Sequence, residues 1–194
     1  MTRKAKRIVS FAVALVSILS LTFHTSAHEV GSGRSYRWYN IGNLPVNADQ
    51  AEDINSSLIQ DSFNEWNEKT GTTTFHWSSF SNSKVDFVGT STLPKEEDPD
   101  EYYSITALTV LRDSNDRWSS YWGRGIKTGF NSGTVYYSIV FVNPAWANSY
   151  MVKHELGHVL GLGHTTNVPS IMYPNDGEYD TVQQHDVDDI RNWY

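Results

Sequence analysis

Hydrophobic positions along this chain recur with two different periods. Ala51, Ile54, Leu58, Phe63 and Trp66 fall at roughly helical spacing, which gives one apolar stripe on an amphipathic helix. The tetrad Asn47-Ala48-Asp49-Gln50 before it has the layout of a helix start, with Asn47 as N-cap and Gln50 three positions on, and Gly71 supplies a stop. Aromatic and β-branched stretches at 35–41, 73–77, 85–90, 105–111 and 134–142 read as strands. A second helix is predicted over 147–160, ended by Gly161. A third spans 182–193, where Asp186 and Asp188 suit a helix N-terminus. The order strand, helix, several strands, helix, irregular segment, helix predicts an α+β domain with helices on one face of a mixed sheet.

Two polar stretches interrupt the pattern. Residues 94–101 (PKEEDPDE) are acidic and read as a solvated turn, because no calcium-loop spacing of ligands is present. Residues 113–133, rich in Ser, Asn, Gly and Trp, read as a surface insertion. The beginning of the chain is different again. MTRKAKR carries four positive charges and no acid, an apolar run at 8–23 follows, and Thr25, Ser26 and Ala27 are small. That is the layout of a secretory signal peptide cut after Ala27, and the run is short for a membrane span of about 20 residues. The expectation is a signal at 1–27 and one exported domain at 28–194, monomeric and without lasting membrane association.

Charge and cysteine content narrow the function. The 194 residues hold 22 acids against 15 basic residues, a net charge of −7. Four of the basic residues lie in the first seven positions, so the 167 residues after Ala27 keep 22 acids against 11 basic residues, a net −11. Such a chain is not expected to hold nucleic acid, whose phosphates call for clustered Lys and Arg. No cysteine occurs, which excludes disulfides, thiolate metal sites and a cysteine nucleophile. An exported chain without disulfides fits a bacterial source and depends on its core, or on bound metal, for stability.

The stretch HELGHVLGLGH, residues 154–164, carries the candidate chemistry. On a helix, His154 and His158 project from one face one turn apart, so two imidazoles can share one zinc ion. Glu155 then lies beside that metal, placed to take a proton from a water on it. A catalytic zinc needs a third protein ligand and an open fourth position. Gly161 can adopt a left-handed conformation that ends the helix and swings His164 back to the metal. His24, His28, His76 and His185 have no such company.

These residues resemble the metzincin metalloproteases, which pair H-E-x-x-H-x-x-G-x-x-H with a downstream methionine turn. Met172 follows His164 by eight residues, in Ser170-Ile171-Met172-Tyr173-Pro174. His164-Thr165, Met172-Tyr173-Pro174 and the closing stretch from Gln184 to Ile190 with Tyr194 are similar to the matrixin branch. Pro174, where other branches have a tyrosine, and Thr165, where others have an aspartate, point the same way. The resemblance implies a mixed, twisted five-stranded sheet with two long helices, a zinc cleft, a methionine turn under the ligands and a C-terminal helix. It implies a zinc endopeptidase acting on proteins or peptides. Glu155 is the base, His154, His158 and His164 the ligands, and Tyr173, Pro174 and Val152 border the pocket beyond the cut. An extended substrate would add to the edge strand at 105–111.

Two departures stand out. There is no cysteine to block the zinc and no propeptide of useful length, so the means of latency is open. The spare histidines are scattered, so a single zinc is expected, and structural calcium, common in the family, has no assignable residues. A catalytically silent, toxin-like zinc-binding module is the alternative, against which the intact Glu155 speaks. A zinc used only for folding would need four protein ligands, and three are found.

Overall fold

The computed structural model describes residues 35–94, 102–115, 118–120, 132–174 and 178–194. The expected signal at 1–27, all but the first residue of the acidic stretch at 94–101 and most of the expected insertion at 113–133 lie outside them. The described chain opens with β1 (Ser35–Trp38), β2 (Leu44–Gln50), α1 (Ser56–Thr70) and β3 (Phe75–Trp77). After a 3-10 turn at Phe80–Asn82 come β4 (Val85–Gly89), β5 (Thr92–Pro94), β6 (Tyr102–Ser104), β7 (Ala107–Arg112) and β8 (Trp118–Ser120). Then β9 (Ser132–Val135) and β10 (Tyr137–Val142) lead into α2 (Ser149–Val159), and α3 (Gln184–Trp193) follows.

The main sheet runs β3-β2-β4-β10-β7-β8. Its first four strands are parallel, whereas β7 lies antiparallel to β10 and to β8. The expected mixed five-stranded sheet is β3-β2-β4-β10-β7, and among the described residues a short sixth strand is added at its edge. The sixth, β8, is three residues long and pairs only with Val110–Arg112 of β7. Two ribbons stand apart: β1 parallel to β9, and β5 antiparallel to β6. The strand expected over 134–142 is split because the chain changes partner at Tyr136. Up to Val135 it follows β1; from Tyr137 it enters the main sheet between β4 and β7.

The first helix starts later than its sequence pattern implied. Leu44–Asn47 are buried as a strand, and the register shifts between Asn47 and Gln50 against β4. Asn47 caps no helix. Its Oδ1 accepts from Asp49 N–H at 3.0 Å and its Nδ2 donates to the Ser78 carbonyl at 3.3 Å, a local loop that mimics a cap. The true N-cap is Asn55, whose side chain accepts from Ser57 N–H at 3.0 Å. At the other end Gly71, at φ 66°, is the expected stop.

Ile59, Phe63 and Trp66 of α1 are buried against one core with Phe87, Val140 and Val142 of the sheet and Leu156, Val159 and Leu160 of α2. Full burial of each such side chain contributes about 1.5–3 kcal/mol before the entropy of ordering it is subtracted. Two indoles tie α2 to its surroundings. Trp66 Nε1 donates to the Lys153 carbonyl at 3.0 Å, and Trp38 Nε1 to the Val159 carbonyl at 2.6 Å. Among the described residues no helix is long and apolar enough to cross a membrane.

Candidate metal centre

α2 begins where Asn148 accepts from Met151 N–H at 2.9 Å, a side-chain cap of an orphan donor. Its helical run carries His154, Glu155 and His158 into the interior. The helix then ends in a defined way. Gly161 N–H bonds the His158 carbonyl and Leu162 N–H bonds the Gly157 carbonyl, each at 3.0 Å, with Gly161 at φ 97°. This pair of bonds is the Schellman motif, which needs a residue free to take positive φ. Past that turn the chain doubles back, and His164 comes to face the two helical histidines.

His164 Nε2 lies 3.0 Å from His154 Nε2 and 3.2 Å from His158 Nε2. The other ring nitrogens decide what that means. His154 Nδ1 lies 2.8 Å from the Ile171 carbonyl, and His158 Nδ1 lies 2.8 Å from the Leu162 carbonyl. A carbonyl can only accept, so both Nδ1 atoms carry the proton and both Nε2 atoms turn lone pairs toward the same point. Lone pairs facing each other at this distance repel unless a cation lies between them. Ligands about 2.0–2.1 Å from a tetrahedral zinc ion stand about 3.3 Å apart, so the group fits zinc with only slight opening. Burial and the neighbouring His164 push His154 down to about 4 despite the opposing Ile171 carbonyl and Asp186, and burial also lowers His164. Both rings are therefore held neutral, the form that ligates metal.

Glu155 lines the same cleft and is buried. Burial lifts its carboxyl to about 7, and a hydrogen bond from Thr109 opposes the rise. Thr109 stands on β7, and Thr106, Ala107, Leu108 and Thr109 form one wall of the cleft. Tyr150, Met151 and Pro174 line it as well. The expected position of Val152 is different, since it is fully buried in the core; helical geometry gives the cleft to its neighbours Tyr150 and Met151 instead. Tyr173 is half-buried beside Pro174. Its ring packs on Tyr179 with centroids 6.1 Å apart, and its carbonyl accepts from the Tyr150 hydroxyl.

Met172 is fully buried in a turn in which Tyr173 N–H bonds the Ser170 carbonyl, and its own carbonyl accepts from Thr165 N–H at 3.1 Å. That last bond ties the turn to the residue after His164. Asp186, the N3 residue of α3, grips the same turn from below, accepting from the Ser170 hydroxyl and from Ile171 N–H at 3.0 Å. Its Oδ2 also accepts from Gln183 N–H at 2.7 Å. One carboxylate thus caps α3 and fixes the carbonyl that orients His154.

Four partners were not singled out in the sequence: Thr109, Gly157, Lys153 and Glu65. Lys153, buried beside His154, meets Glu65 Oε2 at 2.7 Å and donates to the Asp180 carbonyl at 2.8 Å. Burial alone would raise Glu65, but its bonds to Lys153 and Lys69 outweigh that and hold it below the usual carboxylate range. Gly157 had a legible signal, since a glycine inside a helical pattern usually has a packing reason. A Cβ built there would sit 2.2 Å from Met172 Sδ and 3.3 Å from Trp66 Cζ2. Gly157→Ala gains about 1 kcal/mol of helix propensity, yet overpacking a closed core costs about 1–3 kcal/mol. Because Met172 and Trp66 are both fully enclosed, the clash should win. Thermal unfolding of Gly157→Ala should come below the parent, and an unfolding temperature at or above the parent's would show that Met172 moves aside freely.

No curated protein matches the sequence significantly. The family model described as Matrixin, of the peptidase group M10, matches residues 34–194, from the residue before β1 to the residue after α3. That span contains the three converging imidazoles, Glu155 and the turn at Met172. The chain belongs to the matrixin family of zinc-dependent peptidases.

Proposed function

We propose that this protein is an exported zinc endopeptidase that cuts extended peptides with Glu155 as the general base. The observation that carries the reading is the meeting of three imidazole Nε2 atoms, beside a buried carboxylate, in a cleft lined by residues 106–109 at the start of β7. His154, His158 and His164 would hold the zinc, which when bound supplies Lewis acidity for a water and for the scissile carbonyl. The protein groups do the rest. Ala107–Thr109 pair with β10 on one side, while β8 covers only Val110–Arg112 on the other. Among the described residues no strand pairs with the outer edge of Ala107–Thr109, and an antiparallel peptide strand would add there. Glu155 accepts a proton as the water oxygen bonds the carbonyl carbon, then passes it to the amine as the C–N bond breaks. Met172 would serve as an apolar floor beneath the histidines, and Pro174, Tyr150 and Met151 would shape the adjoining pocket.

Export rests on the charge and hydropathy layout of residues 1–27. A single experiment tests the whole reading. The full chain is expressed in a secreting host, recovered from the medium, weighed, assayed for zinc and offered a mixed peptide library. The expected result is a mass beginning at His28, about one zinc per chain, and cleavage that a chelator abolishes and added zinc restores. Zinc without cleavage of any peptide would turn the assignment to a binding module. Folded protein that takes up no zinc would overturn it.

A further inference from the structure

β7 reads ALTVLR, an apolar strand interrupted by one hydroxyl. Thr109 is 1% exposed, and a hydroxyl buried that deeply is costly unless it finds a partner. Its partner is the residue proposed above as the base. Thr109 Oγ1 lies 2.6 Å from Glu155 Oε2 and 3.1 Å from the Glu155 carbonyl oxygen. A hydroxyl has one proton to give, and the shorter contact falls in the range of charge-assisted O–H···O⁻ bonds. The carboxylate is the acceptor.

On this geometry, and resting on the peptidase reading, we infer that Thr109 is a positioning residue: its hydroxyl holds Glu155 Oε2 and leaves Oε1 as the oxygen that exchanges the proton. The terminal torsion of a glutamate is broad and roughly two-fold. Without an anchor the carboxylate samples orientations in which neither oxygen meets the attacking water, and a misplaced base loses rate rather than affinity. Thr109 also belongs to the stretch 106–109 that lines the cleft, where the peptide would add. The base and the peptide are thus registered on one strand, so the distance between them does not depend on a mobile side chain.

The test compares Thr109→Val, which keeps the shape and deletes the hydroxyl, with Thr109→Ser, which keeps the hydroxyl, in the full chain loaded with zinc. Val should lower kcat about 10- to 100-fold, the usual effect of losing an outer hydrogen-bond partner at a metal site, with KM within about twofold. Ser should stay within about threefold of the parent, both variants should match the parent in zinc content, and Val should unfold a few degrees lower because the buried Oε2 loses its donor. In a Glu155→Gln background the Val change should cost nothing further, because the anchored base is gone. Should Val fail to fold, Thr109→Ala against Ser makes the same comparison. The inference falls if Val cuts at the parent rate, if Ser falls as far as Val, if only KM moves, or if the loss tracks lost zinc. A parent that holds zinc and cuts no peptide instead overturns the peptidase reading beneath it, so the two failures are distinct.

Discussion

Glu155→Gln is expected to fold, to hold one zinc per chain and to cleave peptides about 10²- to 10⁴-fold more slowly than the parent, the usual worth of a positioned general base. That loss corresponds to about 3–5 kcal/mol of transition-state stabilisation. Glutamine is close to isosteric, and its amide oxygen can still accept the Thr109 hydroxyl now bonded to Oε2. What disappears is the second oxygen's capacity to take a proton. The variant also removes a buried charge, so the fold should not weaken. Activity, zinc content and unfolding temperature must be measured together. A variant retaining more than about a tenth of parental kcat, with zinc bound, would mean that another group is the base.

The site was more legible in the sequence than the frame around it, for a physical reason. HELGHVLGLGH encodes its geometry locally. A four-residue spacing sets two histidines on one helical face, and three further residues with a glycine reverse the chain within one turn. Everything needed to read it lies inside eleven consecutive positions. Asp186 was readable only in part. An acid in the first turn of a helix is a local signal, but its bond to Ile171 N–H, fifteen residues back, is not. Lys153 and Glu65 were invisible, since each looks like an ordinary surface charge on its own helix and only the packing of α1 on α2 brings them together. Thr109 likewise reaches Glu155 across 46 residues.

The fold's misreadings have the same origin. Asn47-Ala48-Asp49-Gln50 carries a capping signature, whereas Asn55, the actual cap, has Leu58 three positions on in place of a Glu or Gln. What decides between them is tertiary: Leu44 and Val46 are wholly buried, paired in parallel with β3 on one side and β4 on the other. Pairing on two edges outweighs a local preference for starting a helix. The division at Tyr136 is similar, since Tyr137–Val142 alternates as a strand should and gives no sign that Ser132–Val135 pair with β1. β8 is too short to announce itself by period at all.

Asp186→Ala should be the most destabilising single change near the centre that touches no metal ligand. The substitution leaves Ile171 N–H and Gln183 N–H without their acceptor and the Ser170 hydroxyl without its own, all in a site from which Asp186 is wholly shielded from water. Each orphaned buried donor costs about 1–3 kcal/mol, so about 3 kcal/mol or more should be lost. For a chain of this size that lowers the unfolding temperature by about 6–12 °C. Asp186→Asn makes a sharper comparison. Its remaining oxygen can serve both backbone N–H groups, while its amide must donate to a Ser170 oxygen that already accepts from Met172 N–H at 2.8 Å. A smaller loss, about 1 kcal/mol, is expected there. The Ala variant should also release zinc faster, by about 10- to 100-fold in affinity, because the Ile171 carbonyl that orients His154 loses its anchor. Unfolding scans and zinc competition with a chelator read the two effects separately. If Ala weakens the fold but leaves zinc affinity intact, Asp186 only caps α3, and the orientation of His154 must come from the packing of Met172 against Gly157.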